Sequence, residues 1–341
     1  MTQLKGMGLV KARRALAEAG DVHELLRRHA HRLPFPLADL DERWQGVEAR
    51  TRACGGQVVS WDEPAYPHGL SQLVDAPPLL FFKGQTPAFN PPLIAVVGTR
   101  RCTDDAARWA YRFGAHLASH GATLVSGLAM GIDIAAMRGA LDAGGSVVAC
   151  LGHGLERIHP KGHRKWAEAM LERGALVTEY PVDTRVDRWH FAHRNRIVAG
   201  LASHTVLVQS PAHGGGMITA RLALEYDREL TVCHPADERA VWDGNRHWKD
   251  QGAPAIEVPE AFEWRGMGPH QPGPARALPP PGLVSTWMAL QGSGGCSVEA
   301  LSEAVNEPSN RVRRQLLALE LGGWVRRAPG SWFVPVESPS T

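Results

Sequence analysis

The stretch FAHRNRIVAGLASHTVLVQSPAHGGGMITARLALE, residues 191–225, decides the fold of this chain. Two arginines flank an asparagine where a helix is expected from Asn195 to Ala202, and the apolar run from His204 to Gln209 predicts a buried strand. Three glycines, 214–216, precede a second predicted helix from Met217 to Tyr226. A strand, a glycine-rich turn and a helix N-terminus in this order form a layout suited to binding phosphate.

The same alternation of strands and helices precedes this stretch. Strands are expected at 93–98, 122–126, 146–151 and 176–179, helices at 104–120, 132–143 and 163–173, and a last strand at 229–233. This pattern predicts an α/β fold with a doubly wound, mainly parallel sheet. We expect the run 79–82 to add an edge strand to that sheet, after a short strand at 58–60.

Glycine-rich turns follow several of the predicted strands. They are Gly98-Thr99-Arg100-Arg101, the segment 126–133, the segment 151–156 and the segment 214–220. Ligands of doubly wound sheets bind beyond the carboxyl ends of the strands, where all four turns are expected. Glycine lets the backbone approach a ligand, and arginine offers a fork of donors for phosphate. Together the turns predict a wide anion-binding rim.

Composition excludes several classes of protein. The chain has 341 residues, 44% of them hydrophobic, which is enough for two or three domains. Its net charge is only +2, so a nucleic-acid surface must be a local patch. The five cysteines lack CxxC spacing, which fits reduced thiols in the cytoplasm and no zinc site. No secretory h-region or membrane-spanning run is present, so we expect a soluble protein with no membrane contact.

The central sequence resembles the DNA-processing protein A family, also called DprA or Smf. The resemblance covers residues 53–262 in order and rests on the motifs VVGTR, VSGLAMGID, GALDAGG, LGHGLERIHP, TEYP, HRNRIVAGLAS, GGGMITARLALE and GNRHWKDQGA. It implies an extended Rossmann-like fold that binds single-stranded DNA as a homodimer. It also implies a recombination mediator that protects incoming DNA and loads the recombinase RecA in natural transformation.

The family motifs select a set of candidate DNA-binding residues. They are Gly98, Thr99, Arg100, Ser126, Gly127, Gly131, Lys161, Arg194, Asn195, Arg196, Gly215, Gly216 and Thr219. We expect the three arginines and Lys161 to neutralise backbone phosphates, and the glycine amides to donate hydrogen bonds. We also expect Arg100→Ala or Arg194→Ala to weaken binding without unfolding the chain. For the pair Arg194 and Arg196 a salt bridge inside the domain remains a rival interpretation, with Asp187 as a candidate partner.

A nucleotide-binding or nucleotide-cleaving enzyme is the alternative function. The turn His213–Ala220 is similar to the PGGxGT loop of phosphoribohydrolases, but the sequence holds no Walker pattern and no complete GxGxxG. No serine elbow or assignable Cys/His nucleophile is present either, so we assign no catalytic residue, no metal and no cofactor. A further alternative is a vestigial rim, with the terminal domains carrying the function.

Separate domains are expected on both sides of the 53–264 domain. Residues 1–52 resemble a helix-hairpin-helix or sterile-alpha-motif-like domain, because Gly6 and Gly8 bracket a turn before a basic helix. A Pro/Gly-rich linker, 265–282, is expected to leave the last domain free to move. Residues 283–335 predict a winged helix, followed by a tail at 336–341. Either terminal domain is a candidate for contact with double-stranded DNA or with protein.

Overall fold

The computed structural model of the chain describes residues 9–20, 22–34, 36–90, 92–268, 278–293, 295–328 and 332–336. Its centre is a nine-stranded sheet. The strands are β1 Gln57–Ser60, β2 Leu79–Gly84, β3 Leu93–Val97, β4 Thr123–Ser126, β5 Val147–Cys150, β6 Ala175–Thr178, β7 His204–Leu207, β8 Glu229–Cys233 and β9 Ala255–Ile256. Within the described residues, no helix is both long and apolar enough to cross a membrane.

The order of the strands is β1-β2-β6-β5-β4-β3-β7-β8-β9. From β6 to β9 all neighbours are parallel, whereas β2 pairs antiparallel with both β1 and β6. The chain moves outward from β3 through β4, β5 and β6, then returns to the other side of β3 with β7. This reversal creates a crevice at the carboxyl ends of β3 and β7, where ligands of doubly wound sheets bind. The predicted α/β fold is confirmed.

The expectation that residues 79–82 form an edge strand was wrong. β2 lies between β1 and β6, and Val58 and Val59 pair with Phe81 and Leu80 across the β1–β2 ladder. Both faces of β2 are therefore covered, since Leu80, Phe81 and Phe82 are all buried. β1, residues 57–60, is the edge strand at this end of the sheet, where it pairs with β2.

Helices cover both faces of the sheet. The helices of the central region are α4 His68–Ser71, α5 Asp104–Ser119, α6 Ile132–Asp142, α7 Arg164–Met170, α8 Arg188–Leu201, α9 Gly215–Glu225 and α10 Asp243–Asp250. Side chains alternate along each strand, so Ile94 and Val96 of β3 pack with α5, α6 and α7, while Leu93, Ala95 and Val97 pack with α8 and α9. The sheet therefore separates two apolar layers.

Two glycines allow α5 and α6 to pack closely. A Cβ atom on Gly139 of α6 would overlap the carbonyl oxygen of Tyr111, and one on Gly114 of α5 would overlap that of Ala136. Any other residue at these positions would force the helices apart. This contact holds α6, whose N-terminus lies beside the crevice, against the body of the sheet.

The N-terminal region is helical where it is described. Its helices are α1 Leu9–Ala19, α2 Val22–Arg28 and α3 Leu40–Ala53. α3 packs against β1. The proposed hairpin turn around Gly6 and Gly8 lies outside the described residues.

The C-terminal region has the predicted winged-helix order of elements. Its helices α11 Val284–Ser293, α12 Val298–Val305 and α13 Ser309–Leu321 are followed by the antiparallel strands β10 Val325–Ala328 and β11 Trp332–Pro335. Val312, Leu316 and Leu319 of α13 are buried. Trp287 and Phe333 complete the same core.

The expectation that the linker leaves the winged helix free to move was wrong. Arg138 of α6 is fully buried, with its guanidinium carbon 4.5 Å from the ring centre of Trp166 and 4.6 Å from that of Trp287 in α11. Its Nη2 donates a hydrogen bond to Gln291 at 3.0 Å. Asp104 accepts hydrogen bonds from the amides of Val284 and Ser285. The winged helix is therefore docked on the sheet domain, since stacking and a helix cap both join them.

Candidate functional site

A cavity of about 410 Å³ lies at the crevice beyond β3 and β7, and we call it the first cavity. It contains nine of the residues selected from the sequence: Gly98, Thr99, Arg100, Gly127, Arg194, Asn195, Gly215, Gly216 and Thr219. It also contains Arg101, Asp133, Arg188 and Phe191, which were not selected. Three of the four predicted turns therefore converge on the first cavity, whereas no residue of the turn 151–156 lines it. The residues of the three turns have different parts in the site.

The turn after β3 places two arginines at the mouth of the first cavity. The amide of Thr99 donates to the Gln209 carbonyl at 2.7 Å, and the amide of Arg101 donates to Oγ1 of Thr99 at 3.2 Å. These bonds fix the backbone, so the side chains of Arg100 and Arg101 extend into solvent, where both residues are exposed. The first residue of α8, Arg188, is also exposed and lines the same cavity.

We call Arg100, Arg101 and Arg188 the rim arginines. In the part of the chain that the structure describes, no carboxylate forms an ion pair with any of them, whereas many other exposed arginines are paired. An unpaired guanidinium gives a full positive charge and its donors to an incoming anion. The rim arginines are therefore the groups of this site best suited to phosphate.

Arg194 and Asp133 form what we call the floor of the first cavity. Arg194 is 3% exposed. Its Nη1 donates to the Gly127 carbonyl at 2.6 Å and also to the Cys150 carbonyl. The carboxylate of Asp133 accepts from the amides of Gly127 at 3.1 Å and Ala129 at 3.4 Å. These contacts hold the ends of β4 and β5 together at the bottom of the cavity.

Burial determines the ionisation of the floor. Desolvation raises the pKa of Asp133, although Arg194 and two backbone amides oppose this shift. Desolvation also lowers the pKa of Arg194, and Asp133 opposes that shift. Each group therefore supplies the charge that the other needs in order to remain buried.

The expected phosphate role of Arg194 needs correction. Its charge is compensated by Asp133 and its Nη1 is occupied by carbonyls, so its main effect is to hold the strand ends. A Cβ atom at Gly127 would overlap its guanidinium, so the glycine at 127 makes room for Arg194. Nε of Arg194 is buried without a hydrogen-bond partner among the described residues. The expectation that Arg194→Ala leaves the fold intact does not fit these contacts.

Arg196 does not line the first cavity. It is 4% exposed, forms an ion pair with Glu179, and donates from Nη1 to the Asp75 carbonyl at 2.6 Å. Two residues along a helix rotate the side chain by about 200°, so Arg194 and Arg196 point to opposite sides of α8. The rival salt bridge exists, but its partner is Glu179. Asp187 instead caps α8, accepting from the amide of Trp189 at 2.9 Å.

The N-terminus of α9 forms one wall of the first cavity. Nδ2 of Asn195 and the hydroxyl of Thr219 both lie 3.4 Å from the Gly215 carbonyl, which they hold in place. The N-cap of α9 is Gly214, so no side chain caps the helix, and a Cβ on Gly215 would meet no atom within 4 Å. First-turn amides without a side-chain cap, at the positive end of the helix dipole, are suited to an anion.

Three other selected residues lie outside the first cavity. The hydroxyl of Ser126 donates to the Val96 carbonyl at 2.6 Å and joins β4 to β3. Gly131, with φ +78°, is the N-cap of α6, and a Cβ there would overlap the backbone of Thr99. Lys161 is exposed on the 3-10 turn Lys161–His163 and does not line the cavity. Ser126 and Gly131 therefore shape the turns around the first cavity without lining it.

Phe191 is a site residue that the sequence reasoning missed. Its ring lies 5.4 Å from the guanidinium carbon of Arg100 and forms part of the cavity wall. α8 begins at Arg188, seven residues before the expected start at Asn195. Asp187 is the sequence signal for this earlier start, because aspartate is a common N-cap residue. With the helix starting there, the helical spacing of Arg188, Phe191 and Asn195 predicts that all three lie on one face of α8.

Comparisons with known proteins place these features in a family. Residues 57–263 match the family model described as DNA recombination-mediator protein A, and residues 288–331 match the DprA winged helix domain. Protein Smf of Escherichia coli is 33% identical over 327 residues, which are 90% of this chain and 84% of that protein.

Two solved structures are similar as well. The X-ray structure of DNA processing protein A from Streptococcus pneumoniae has a TM-score of 0.65 and 28% identity, over 77% of this chain and 97% of that one. The DNA processing protein A of Helicobacter pylori, whose single-stranded DNA binding mode is described as unique, has a TM-score of 0.55 and 29% identity. That match covers 60% of this chain and 94% of the other.

Proposed function

The chain belongs to the DNA recombination-mediator protein A family, and we propose that it binds single-stranded DNA in the first cavity. The observation that carries this proposal is the grouping of unpaired rim arginines, the open N-terminus of α9 and the ring of Phe191 around one cavity. Sequence-tolerant binding of single strands needs cations for the backbone and an aromatic surface for the bases, and this site combines them.

The floor favours a strand over a small nucleotide substrate. Its buried carboxylate, Asp133, accepts two backbone amides and faces Arg194, which leaves it poorly placed to move a proton. The unpaired cations lie at the mouth, where a long phosphate backbone can pass over them, whereas the cation at the bottom, Arg194, is compensated by Asp133. We therefore propose that the chain acts without catalysis, metal or cofactor.

The resemblance of the sequence supports the finer parts of the proposal. As a recombination mediator, the chain would protect incoming single-stranded DNA and load the recombinase RecA onto it in natural transformation, working as a homodimer. A cytoplasmic location belongs to the same proposal, because the five cysteines are free, as expected in a reducing compartment.

The winged helix is a weaker candidate for DNA contact. Three of its five arginines form ion pairs with its own glutamates: Arg311 with Glu307, Arg313 with Glu299, and Arg327 with Glu320. Arg314 and Arg326 are exposed. We propose that double-stranded DNA, if bound at this domain, relies on these two residues.

Equilibrium binding of an unstructured oligodeoxythymidine to the full chain tests the proposal. We expect tight binding at about 50 mM salt and much weaker binding at about 200 mM, because phosphate neutralisation releases counterions. A parallel assay supplies nucleoside monophosphates and follows their hydrolysis. Absence of strand binding at the lower salt, together with cleavage of a nucleotide, would overturn the proposal in favour of the enzyme.

A separate experiment tests the loading of RecA. Added RecA should form filaments faster on strands carrying the protein, and an unchanged rate would contradict the proposed loading step.

A further inference from the structure

A second cavity, of about 320 Å³, lies between the docked winged helix and the sheet domain. Its walls come from α11 and the end of α12 on one side, and from the turns before α6 and α7 on the other. Arg100 and Arg101 line this cavity as well as the first one. The two cavities therefore adjoin the same pair of exposed arginines.

The winged helix is held where the second cavity requires it. Besides the stacking of Arg138 between Trp166 and Trp287, the backbones of the two domains touch: a Cβ on Gly292 of α11 would lie 2.9 Å from the Gly162 carbonyl. A buried arginine and a backbone contact define one docked position better than scattered surface contacts do. The second cavity is thus a consequence of how the domains pack.

The walls of the second cavity are mostly apolar. They include Met130, Ile134, Met288, Ala289 and Val305. Met130 is 40% exposed, so part of its side chain is open to a ligand. Thioethers and methyl groups make favourable contacts with aromatic rings, so this lining suits the flat face of a base.

Charge in the second cavity is confined to its edges. His163 donates from Nδ1 to the Leu128 carbonyl at 2.9 Å, and burial lowers the pKa of this histidine, so its ring is neutral near pH 7. The acidic group in the lining is Glu303, which would repel a phosphate. An incoming phosphate is therefore favoured at Arg100 and Arg101, and the interior is left to an uncharged group.

We propose that the second cavity binds a base of the same DNA strand that occupies the first cavity, with the phosphate between the two segments held by Arg100 and Arg101. This inference rests on the proposed function, since it extends the path of the strand onto the winged helix. The docked winged helix then acts as one side of the binding groove and not as a separate module.

A pair of alanines on α12 offers a matched test. Ala304 lines the second cavity, whereas Ala300, one turn earlier and also exposed, does not. In the full-length protein, Ala304→Phe should fill the cavity and weaken binding of an oligodeoxythymidine of about 16 nucleotides by about 5-fold or more. Ala300→Phe should bind like the unchanged chain. The slope of log affinity against log salt should be the same in all three, because no phosphate contact is removed.

Each outcome of this test has a defined meaning. Equal affinity of the two folded variants would overturn the inference, as would a loss confined to Ala304→Phe that also lowers the salt slope, because that loss would be electrostatic. Failure of the unchanged chain to bind any strand would instead overturn the proposed function. As a second measurement, a strand containing 4-thiothymidine should photocrosslink to α11 or α12, and crosslinks confined to the sheet domain would also contradict the inference.

Discussion

The rim and the floor of the first cavity use the same side chain for different purposes. Arg188 and Arg194 lie on one helix, α8, less than two turns apart. Arg188 is exposed and unpaired among the described residues, while Arg194 is 3% exposed and bonded to two carbonyls beside Asp133. The difference teaches that position on the helix decides whether an arginine is left exposed for a ligand or is buried and bonded within the protein.

The largest of the expected effects is the loss of stability when the floor arginine, Arg194, is removed. Arg194→Ala leaves the buried carboxylate of Asp133 and two carbonyls without their partner, which should lower the free energy of unfolding by about 3–5 kcal/mol. Urea unfolding measures the loss. Arg188→Ala on the same helix is the control and should change stability by no more than about 0.5 kcal/mol. Similar losses in both variants would erase the distinction between rim and floor.

The next largest expected effect is the loss of strand affinity when the aromatic ring of the cavity wall is removed. Phe191→Ala removes the ring on which a base is expected to stack, which should weaken strand binding by about 1–3 kcal/mol. Trp189→Ala is the matched control, because Trp189 is an aromatic residue of α8 that is 77% exposed and does not line the cavity. Fluorescence anisotropy with a labelled oligonucleotide compares them. A larger loss in Trp189→Ala would move the stacking surface out of the cavity.

Removal of a single rim arginine should have a smaller effect, which should change both the affinity for the strand and its dependence on salt. Arg100→Ala should weaken binding about 10-fold at low salt and reduce the salt slope by about 0.7, because one phosphate contact is lost. Its melting temperature should not change. Arg52→Ala, an exposed arginine of α3 away from the cavity, should leave affinity and slope unaltered. An unchanged slope in Arg100→Ala would mean that this arginine does not contact phosphate.

The smallest expected effect is the response of two buried histidines, His153 and His163, to acid. Burial lowers the pKa of His153, near Arg194, and of His163 below the ordinary value of 6.5. The folded chain therefore binds these protons more weakly than the unfolded chain. Their contribution to stability is complete above about pH 6.5 and is lost as the pH falls through 6.5 toward the lowered values. Urea unfolding at about pH 7.5 and about pH 5.5 measures this loss, which His163→Asn should reduce. An equal pH response in that variant would assign the effect to other groups.

The fold could be predicted because its signals are local. Strands such as Leu93–Val97 and Glu229–Cys233 are short apolar runs between helical segments, and the glycine turns follow them directly. The convergence of those turns also follows from the parallel sheet, since carboxyl ends of parallel strands share one edge. Local signals therefore indicated the sheet edge at which the first cavity lies, and the motifs of the resemblance selected nine residues that line it. Four other selected residues and the turn 151–156 do not line it.

The errors concern contacts between distant parts of the chain. The hydrogen bond of Arg138 to Gln291 joins residues 153 apart, and no pattern in a proline-rich linker indicates that the domains beyond it will dock. The burial of Arg196 depends on Glu179 and Asp75, which lie on other elements. The insertion of β2 inside the sheet depends on pairing with β6. Local sequence could not distinguish a rim arginine from a buried one without the true start of α8.

The most direct test of the account is the salt dependence of strand binding when all three rim arginines are removed together. The variant Arg100→Ala/Arg101→Ala/Arg188→Ala should melt at the same temperature as the unchanged chain, because these side chains are exposed and unpaired among the described residues. Its slope of log affinity against log salt should fall by about 2, three phosphate contacts at about 0.7 each. A folded triple variant with an unchanged slope would contradict the assignment of the strand to the rim of the first cavity.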